Sequence, residues 1–288
     1  MDILPQLILN SIIAGSIYAL LAISFNLTFG TTKFFNFSHG SFAVIGAYAV
    51  FYFSKTLNWP LYLAIILGVA LAGGCGYVFD KIIFSPLRQK HGTALIKMIA
   101  SIGLFSLIQA TIAIIFSSQF QTLFTPNTQP QLYQISTGII TQTQVILVGC
   151  AVAIFVLLLG IIKFTLFGKA IDAIADDEEV AKIVGINTNQ IISYVGIISA
   201  VIAGLTGILI GFDTGIEPIM GLNLFLKSVI AAIIGGLGSI SGGLLGGFFL
   251  GFVENFGIWK ISGEWKDAIA FGLLIIFLLF RPQGIIKK

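Results

Sequence analysis

Leu7–Phe29 reads LILNSIIAGSIYALLAISFNLTF, 23 residues without a charge. An α-helix rises about 1.5 Å per residue, so roughly 20 apolar residues cross the ~30 Å hydrocarbon core of a bilayer. This run is long enough to do so. No basic residue precedes it and it exceeds the apolar centre of a signal peptide, so it is expected to stay in place as a span. Comparable runs follow at Phe34–Phe53, Leu61–Phe79, Met98–Phe116, Ile139–Ile162, Ile191–Phe212, Leu222–Ile234, Ile240–Ile258 and Ala268–Phe280. The run Phe34–Phe53 is interrupted by polar residues and Leu222–Ile234 is short, so each is a candidate half-helix or re-entrant segment. The expected fold is all-α, a polytopic transmembrane helical bundle of eight to nine segments with broken or re-entrant helices. Composition agrees, with 57% of the 288 residues hydrophobic and 9% charged. Membrane β-strands are excluded by the run lengths and by the lack of alternation.

Basic residues normally stay on the cytoplasmic side of a membrane. With the N-terminus outside, 11 of the 15 lysines and arginines fall inside; Lys55, Lys260 and Lys266 fall outside and Lys227 lies within a span. The uncharged loop 117–138, Thr128 included, is then external, and Lys287 at the C-terminus is cytoplasmic. Cys75 and Cys150 both lie in apolar segments and are read as packing residues. No basic patch interleaved with aromatics supports nucleic-acid binding.

One segment breaks the apolar monotony. Gly168–Asn187, GKAIDAIADDEEVAKIVGIN, holds five of the 12 acidic residues of the chain: Asp172, Asp176, Asp177, Glu178 and Glu179. Its apolar positions Ala170, Ile171, Ile174, Ala175, Val180, Ala181, Ile183 and Val184 recur at helical spacing. The D-x-x-E pattern Asp176–Glu179 marks a helix start and Gly185 a stop, predicting a short helix near Asp177–Val184. Residues 163–190 form a cytoplasmic loop suited to docking a soluble partner.

Glycines carry a second pattern. Gly243, Gly247 and Gly251 recur every fourth residue, as do Gly238, Gly242 and Gly246, and Ser199, Ala203, Gly207 and Gly211. Such rows let helix backbones approach in lipid, either within the bundle or at a sliding or subunit interface. Two polar breaks differ from these rows. Asn36, Ser38, His39 and Gly40 interrupt one run, and Gly235, Gly236, Gly238 and Ser239 another. Irregular backbone at membrane depth needs a protein or cavity lining, often along a transport path. His39 fits either a backbone-bonded neutral imidazole or a substrate contact.

No G-x-x-x-x-G-K-[ST] phosphate loop is present, and no His, Cys or acidic cluster has metal-ligand spacing. Asp80, Asp213 and Glu254 are scattered near segment ends and form no intramembrane acidic relay. An energy source is therefore expected in another subunit.

The segment Gly168–Asn187 taken with AAIIGGLGSISGGLLGG at 231–247, NFSHGSFAVIGAY at 36–48 and GEWKDAIAFGLLIIFLLFRPQG at 263–284 resembles the branched-chain amino acid ABC transporter permease family, in its shorter, LivH-type member. The likeness covers nearly the whole chain. It implies an ABC importer permease fold, with residues 1–288 as one transmembrane domain in the bacterial inner membrane. The implied partners are a paralogous permease, two cytoplasmic ATPase subunits that carry ATP and Mg, an external solute-binding protein and membrane lipid. The chain itself is expected to hold no cofactor and to be no enzyme. The loop matching the family's ATPase-coupling element carries Gly168, Asp172, Asp176, Asp177, Glu178, Ala181, Gly185 and Asn187. Substrates of the family and its relatives include branched-chain and other neutral amino acids, urea and short amides. A stand-alone channel would keep the glycine-lined path but give no reason for the acidic loop.

Overall fold

The computed structural model describes residues 3–123, 131–135, 137–259 and 261–286; Thr128, Lys260, Lys287 and Lys288 lie outside the described residues. Each apolar run forms a helix, because helices satisfy every backbone polar group within the segment. In chain order these are α1 (Leu4–Thr32), α2 (Ser38–Phe51), α3 (Leu61–Phe79), α4 (Ser85–Gln89) and α5 (Ala94–Phe116), then β1 (Leu132–Ile135) and β2 (Gly138–Thr141), then α6 (Gln142–Phe164), α7 (Leu166–Asp176), α8 (Glu178–Ile183), α9 (Thr188–Asp213), α10 (Met220–Gly235), α11 (Ile240–Gly257) and α12 (Lys266–Phe280). Single π-helical turns end α2 at Tyr52–Thr56 and join α3 to α4 at Asp80–Phe84.

The all-α polytopic bundle is borne out, while length and apolar character alone do not confirm eight to nine spans. Among the described residues, five helical stretches are long and apolar enough to cross a membrane: α1, the continuous Leu61–Gln89, α5, α6 and α9. A sixth results if α10 and α11, whose axes turn by 112° at their break, count as one span. The sequence pointed to eight or nine. The difference lies in α2 and α12. Helix α2 has 14 residues and its π-helical turn five more, but the stretch carries Ser38, His39, Ser41, Ser54 and Lys55 and is too polar to count; α12 has 15 residues, which at about 1.5 Å per residue fall short of a ~30 Å core.

Contacts divide the chain into two compact units, residues 1–26, 124–157 and 226–288, and residues 27–123 and 158–225. In the first, α11 lies antiparallel along the start of α1. Gly243 rests on Ala22 and Ile23, Gly247 on Tyr18 and Ala19, and Gly251 on Ser11 and Gly15, each where a Cβ would strike backbone. Gly242 and Gly246 face Gly235 and Ala231 of α10 in the same way. Both glycine rows of α11 are thus packing surfaces within the chain. Strands β1 and β2 pair antiparallel from Leu132↔Thr141 to Ile135↔Gly138. The Gln6 amide bonds both the N–H and the carbonyl of Ile139, at 2.8 and 3.2 Å. This hairpin occupies part of the uncharged loop and was not foreseen.

In the second unit α2, α3 and α9 pack on one another. Gly46 meets Gly204, Gly207 meets Ala43, and Gly76 meets Ala200, so three backbones approach without intervening side chains. Phe34, Val44, Tyr48, Leu104, Ile108, Ile208 and Met220 fill the space around them. The face of α5 that leaves Leu107, Ile114 and Ile115 exposed suits lipid contact.

Candidate functional site

The charged loop folds into two short helices held from below. Thr165 caps α7, its hydroxyl accepting from Gly168 N at 3.1 Å, and Gly168 lies directly on the Ile162 backbone. Ile171, Ile174 and Ala175 form the buried face of α7. Helix α8 begins at Asp177, whose carboxylate accepts from Glu179 N at 2.8 Å and Val180 N at 3.1 Å. The cap is therefore Asp177, not the Asp176 that the D-x-x-E pattern indicated. Of the two adjacent acids only Asp177 closes α7 in extended conformation, with φ −153°, which aims its side chain at the free N–H groups.

The stop at Gly185 is as expected and its geometry is complete. Gly185 has φ +90°, a left-handed conformation open to glycine at no steric cost. Its N–H bonds Lys182 O at 3.0 Å and the Ile186 N–H bonds Ala181 O at 3.0 Å, the paired bonds of a Schellman motif. Ile186 and Ala181 then join Ile174 and Ile192 in one apolar cluster. Asn187 caps α9, accepting from Gln190 N at 3.2 Å. Glu178 pairs with Lys182 at 2.9 Å on the surface.

Among the residues expected to couple, Gly168 and Ala181 are buried, Asp177 and Asn187 are caps, Gly185 is the turn, and Asp172 and Asp176 are exposed. They shape the loop more than they cover it. Among its exposed charges stand three exposed apolar side chains: Val180, Ile183 and Val184 are 54%, 84% and 70% exposed. Val180 and Ile183 share one stripe of α8 at i, i+3 spacing, and Val184, the residue that ends the helix, follows directly.

The loop connects to a polar network in its own unit. Lys33, ending α1 at φ 56°, donates to Ala175 O at the end of α7. On the first turns of α9, Asn189 accepts from Arg88 Nε at 3.3 Å and Ser193 donates to Asp80. Arg88 grips Asp80 with both terminal nitrogens, at 2.7 and 3.1 Å, and the pair is almost fully buried. A cavity of about 30 Å³ lies beside this pair, walled also by Thr28, Asn36, His39 and Gly196. That is room for water and not for an amino acid. His39 Nδ1 is 3.5 Å from Ser199 Oγ, which accepts from Thr28 at 2.7 Å.

The first polar break is satisfied locally. Asn36 Oδ1 accepts from the Ser38 N–H at 3.1 Å and its hydroxyl at 2.6 Å, while Ser101 Oγ accepts from Phe37 N at 3.0 Å. Gly40 abuts Gly221 and Phe225. The second break belongs to the other unit, and Asn26 organises it. Its amide donates to Gly236 O at 3.1 Å and Ser239 O at 2.7 Å and accepts from Gly238 N at 3.0 Å. Ser239 caps α11 through Gly242 N at 3.0 Å. The N–H groups of Ile285 and Ile286 bond Ile234 O and Gly235 O at 2.8 and 3.0 Å. Asn26 was missed, although an asparagine inside an apolar run is itself a signal of a buried partner.

A third polar group in the first unit also escaped the sequence. Lys227 of α10 contacts Glu254 of α11 and lies 2.9 Å from Asp267 of α12, while Tyr18 donates to the second oxygen of Glu254 at 2.6 Å. Glu254 is thus a paired acid, not an isolated one.

A family model described as a branched-chain amino acid transport system permease component matches residues 7–278. The chain is 33% identical to the high-affinity branched-chain amino acid transport system permease protein BraD of Pseudomonas aeruginosa, over 98% of this chain and 95% of that protein. It is 31% identical to the corresponding permease LivH of Escherichia coli K12, with the same coverage. A more distant match, 25% identical over 87% of this chain and 70% of the relative, is the fructose import permease FrcC of Rhizobium meliloti.

Proposed function

The chain belongs to the family of branched-chain amino acid transport system permease components, and from that premise we propose that it is the translocation subunit of an ATP-driven importer for branched-chain or other neutral amino acids. Residues 1–288 act as one multi-pass permease domain of the inner membrane, with the N-terminus outside. ATP and Mg belong to two cytoplasmic ATPase subunits, a paralogous permease completes the pathway, and an external binding protein delivers the solute. The chain performs no chemistry of its own.

The observation that carries this reading is the apolar trio Val180, Ile183 and Val184, exposed on a helix capped at both ends. A membrane protein has no use for bare Ile and Val on a solvated loop unless a partner covers them. Asp176, Glu179 and Lys182 are exposed on the same short segment, so apolar and charged groups are offered together, as at a docking site. Behind it, α9 and the Asp80–Arg88 grip connect the loop to the rest of the second unit. Along the path we place Asn36, Ser38, His39 and Gly40 of the second unit, supported by the small polar cavity that Asn36 and His39 line, and Gly235, Gly236, Gly238 and Ser239 of the first, supported by the non-helical backbone at 236–239.

The test is co-expression with the candidate ATPase, permease and binding protein, followed by leucine uptake into proteoliposomes. The expected result is a complex that captures the ATPase and accumulates leucine only with ATP inside. Uptake by this chain alone, without ATPase, would make it a facilitator and overturn the proposal.

A further inference from the structure

Lys227 is the one basic residue that the sequence puts inside a span, and a charge there is expensive unless it is paired or used. Its surroundings are unequal. Glu254 is fully buried and spends both oxygens, one on Lys227 and the other on Tyr18. Asp267 has a side chain 69% exposed and meets Lys227, itself 11% exposed, through Oδ1. The Tyr18 ring lies 5.8 Å from the ammonium as a third neighbour. One carboxylate is therefore a fixed counter-ion and the other sits at an open edge, where it can be exchanged.

We infer that Lys227 is a binding site for the carboxylate of the transported solute, entered by displacing Asp267. This rests on the functional proposal above and narrows it to solutes that carry a carboxylate. While Glu254 keeps the ammonium neutralised, an incoming carboxylate replaces Asp267 one for one, and Asp267 becomes free to take the solute's ammonium. A zwitterion makes this exchange without leaving any charge unpaired. Urea or a short amide brings no anion and cannot displace Asp267. An ion pair used in this way holds its ligand weakly, which suits a pathway that must release its cargo inward.

The test uses the whole reconstituted importer, with leucine-loaded binding protein outside and ATP inside. Lys227→Met strands the buried Glu254 charge and is expected to lower stability as well as uptake. The decisive variant is Lys227→Met/Glu254→Gln, which removes both buried charges and leaves the packing in place. It is expected to recover the melting temperature and subunit content of the unmodified complex, yet to import leucine about tenfold more slowly or worse, the loss of one charged hydrogen bond. Lys227→Arg, which keeps a cation, is expected to retain most of the uptake. Leucine import at the original rate by the double variant would show that Lys227 serves only as the counter-ion of Glu254, and would overturn the inference while leaving the importer reading intact. An unmodified complex that imports an amide and no amino acid would overturn both.

Discussion

Replacing Ile183 with alanine separates a docking surface from a structural one. The side chain is 84% exposed on α8, so its loss should change the stability of the permease by no more than about 0.5 kcal/mol. If an ATPase covers it, three carbon groups worth about 0.8 kcal/mol each leave the interface. With burial taken as nearly complete, the loss is about 2 kcal/mol, or roughly 30-fold in affinity. The assay is titration of labelled ATPase onto the permease pair in lipid nanodiscs, with a thermal melt of each variant alongside. Val184→Ala should act in the same direction by a smaller amount, since fewer atoms are lost. Affinity unchanged within twofold in Ile183→Ala/Val184→Ala would refute the docking assignment. So would weakened binding that follows a fall in melting temperature, because the trio would then be supporting the fold.

Gly185→Ala should force a Cβ into the left-handed region at a cost of about 1–2 kcal/mol, read as faster hydrogen exchange in α8 and lower ATPase-stimulated uptake; unchanged exchange would show that the turn tolerates a side chain. Gly247→Val should drive α11 off the Tyr18–Ala19 backbone, costing about 1–3 kcal/mol and lowering the melting temperature, whereas Gly149→Val, with open space around the glycine, should leave it in place. Equal effects at the two glycines would remove the packing argument. In a background lacking Cys75 and Cys150, a cysteine at exposed Ser118 should react with an impermeant thiol reagent from outside intact cells and one at exposed Lys90 should not; the reverse pattern would invert the topology.

The sequence was most legible where one property dominates. Apolar run length placed all nine hydrophobic segments within a few residues of an observed helix, and Leu61–Phe79 has the same bounds in both, since lipid leaves the backbone no alternative. It was less legible where neighbours decide. Asp176 and Asp177 are chemically equal, and only the turn between α7 and α8 selects Asp177 as the cap. The periodicity of the loop marked eight apolar positions without dividing them, because Ile174 and Ala181 face inward while Val180, Ile183 and Val184 face out. The Lys227–Glu254 pair joins residues 27 apart on two helices, and no local pattern announces such a partner. Asn26 and the Gly236–Ser239 backbone, more than 200 residues apart, are the extreme case.

That separation has a consequence in time. Helix α1 is made before α11, whose glycines that seat against it emerge some 230 residues later. At about 5–20 residues per second of synthesis, the nascent α1 waits on the order of ten to fifty seconds in the bilayer. Throughout that interval its Ser11, Gly15 and Ala19 stripe has no mate and the Asn26 amide has none of the carbonyls it will later hold. Until α11 arrives, the small-residue stripe of α1 and the Asn26 amide face whatever surrounds the nascent helix, and a slow codon cluster ahead of α11 would lengthen that exposure.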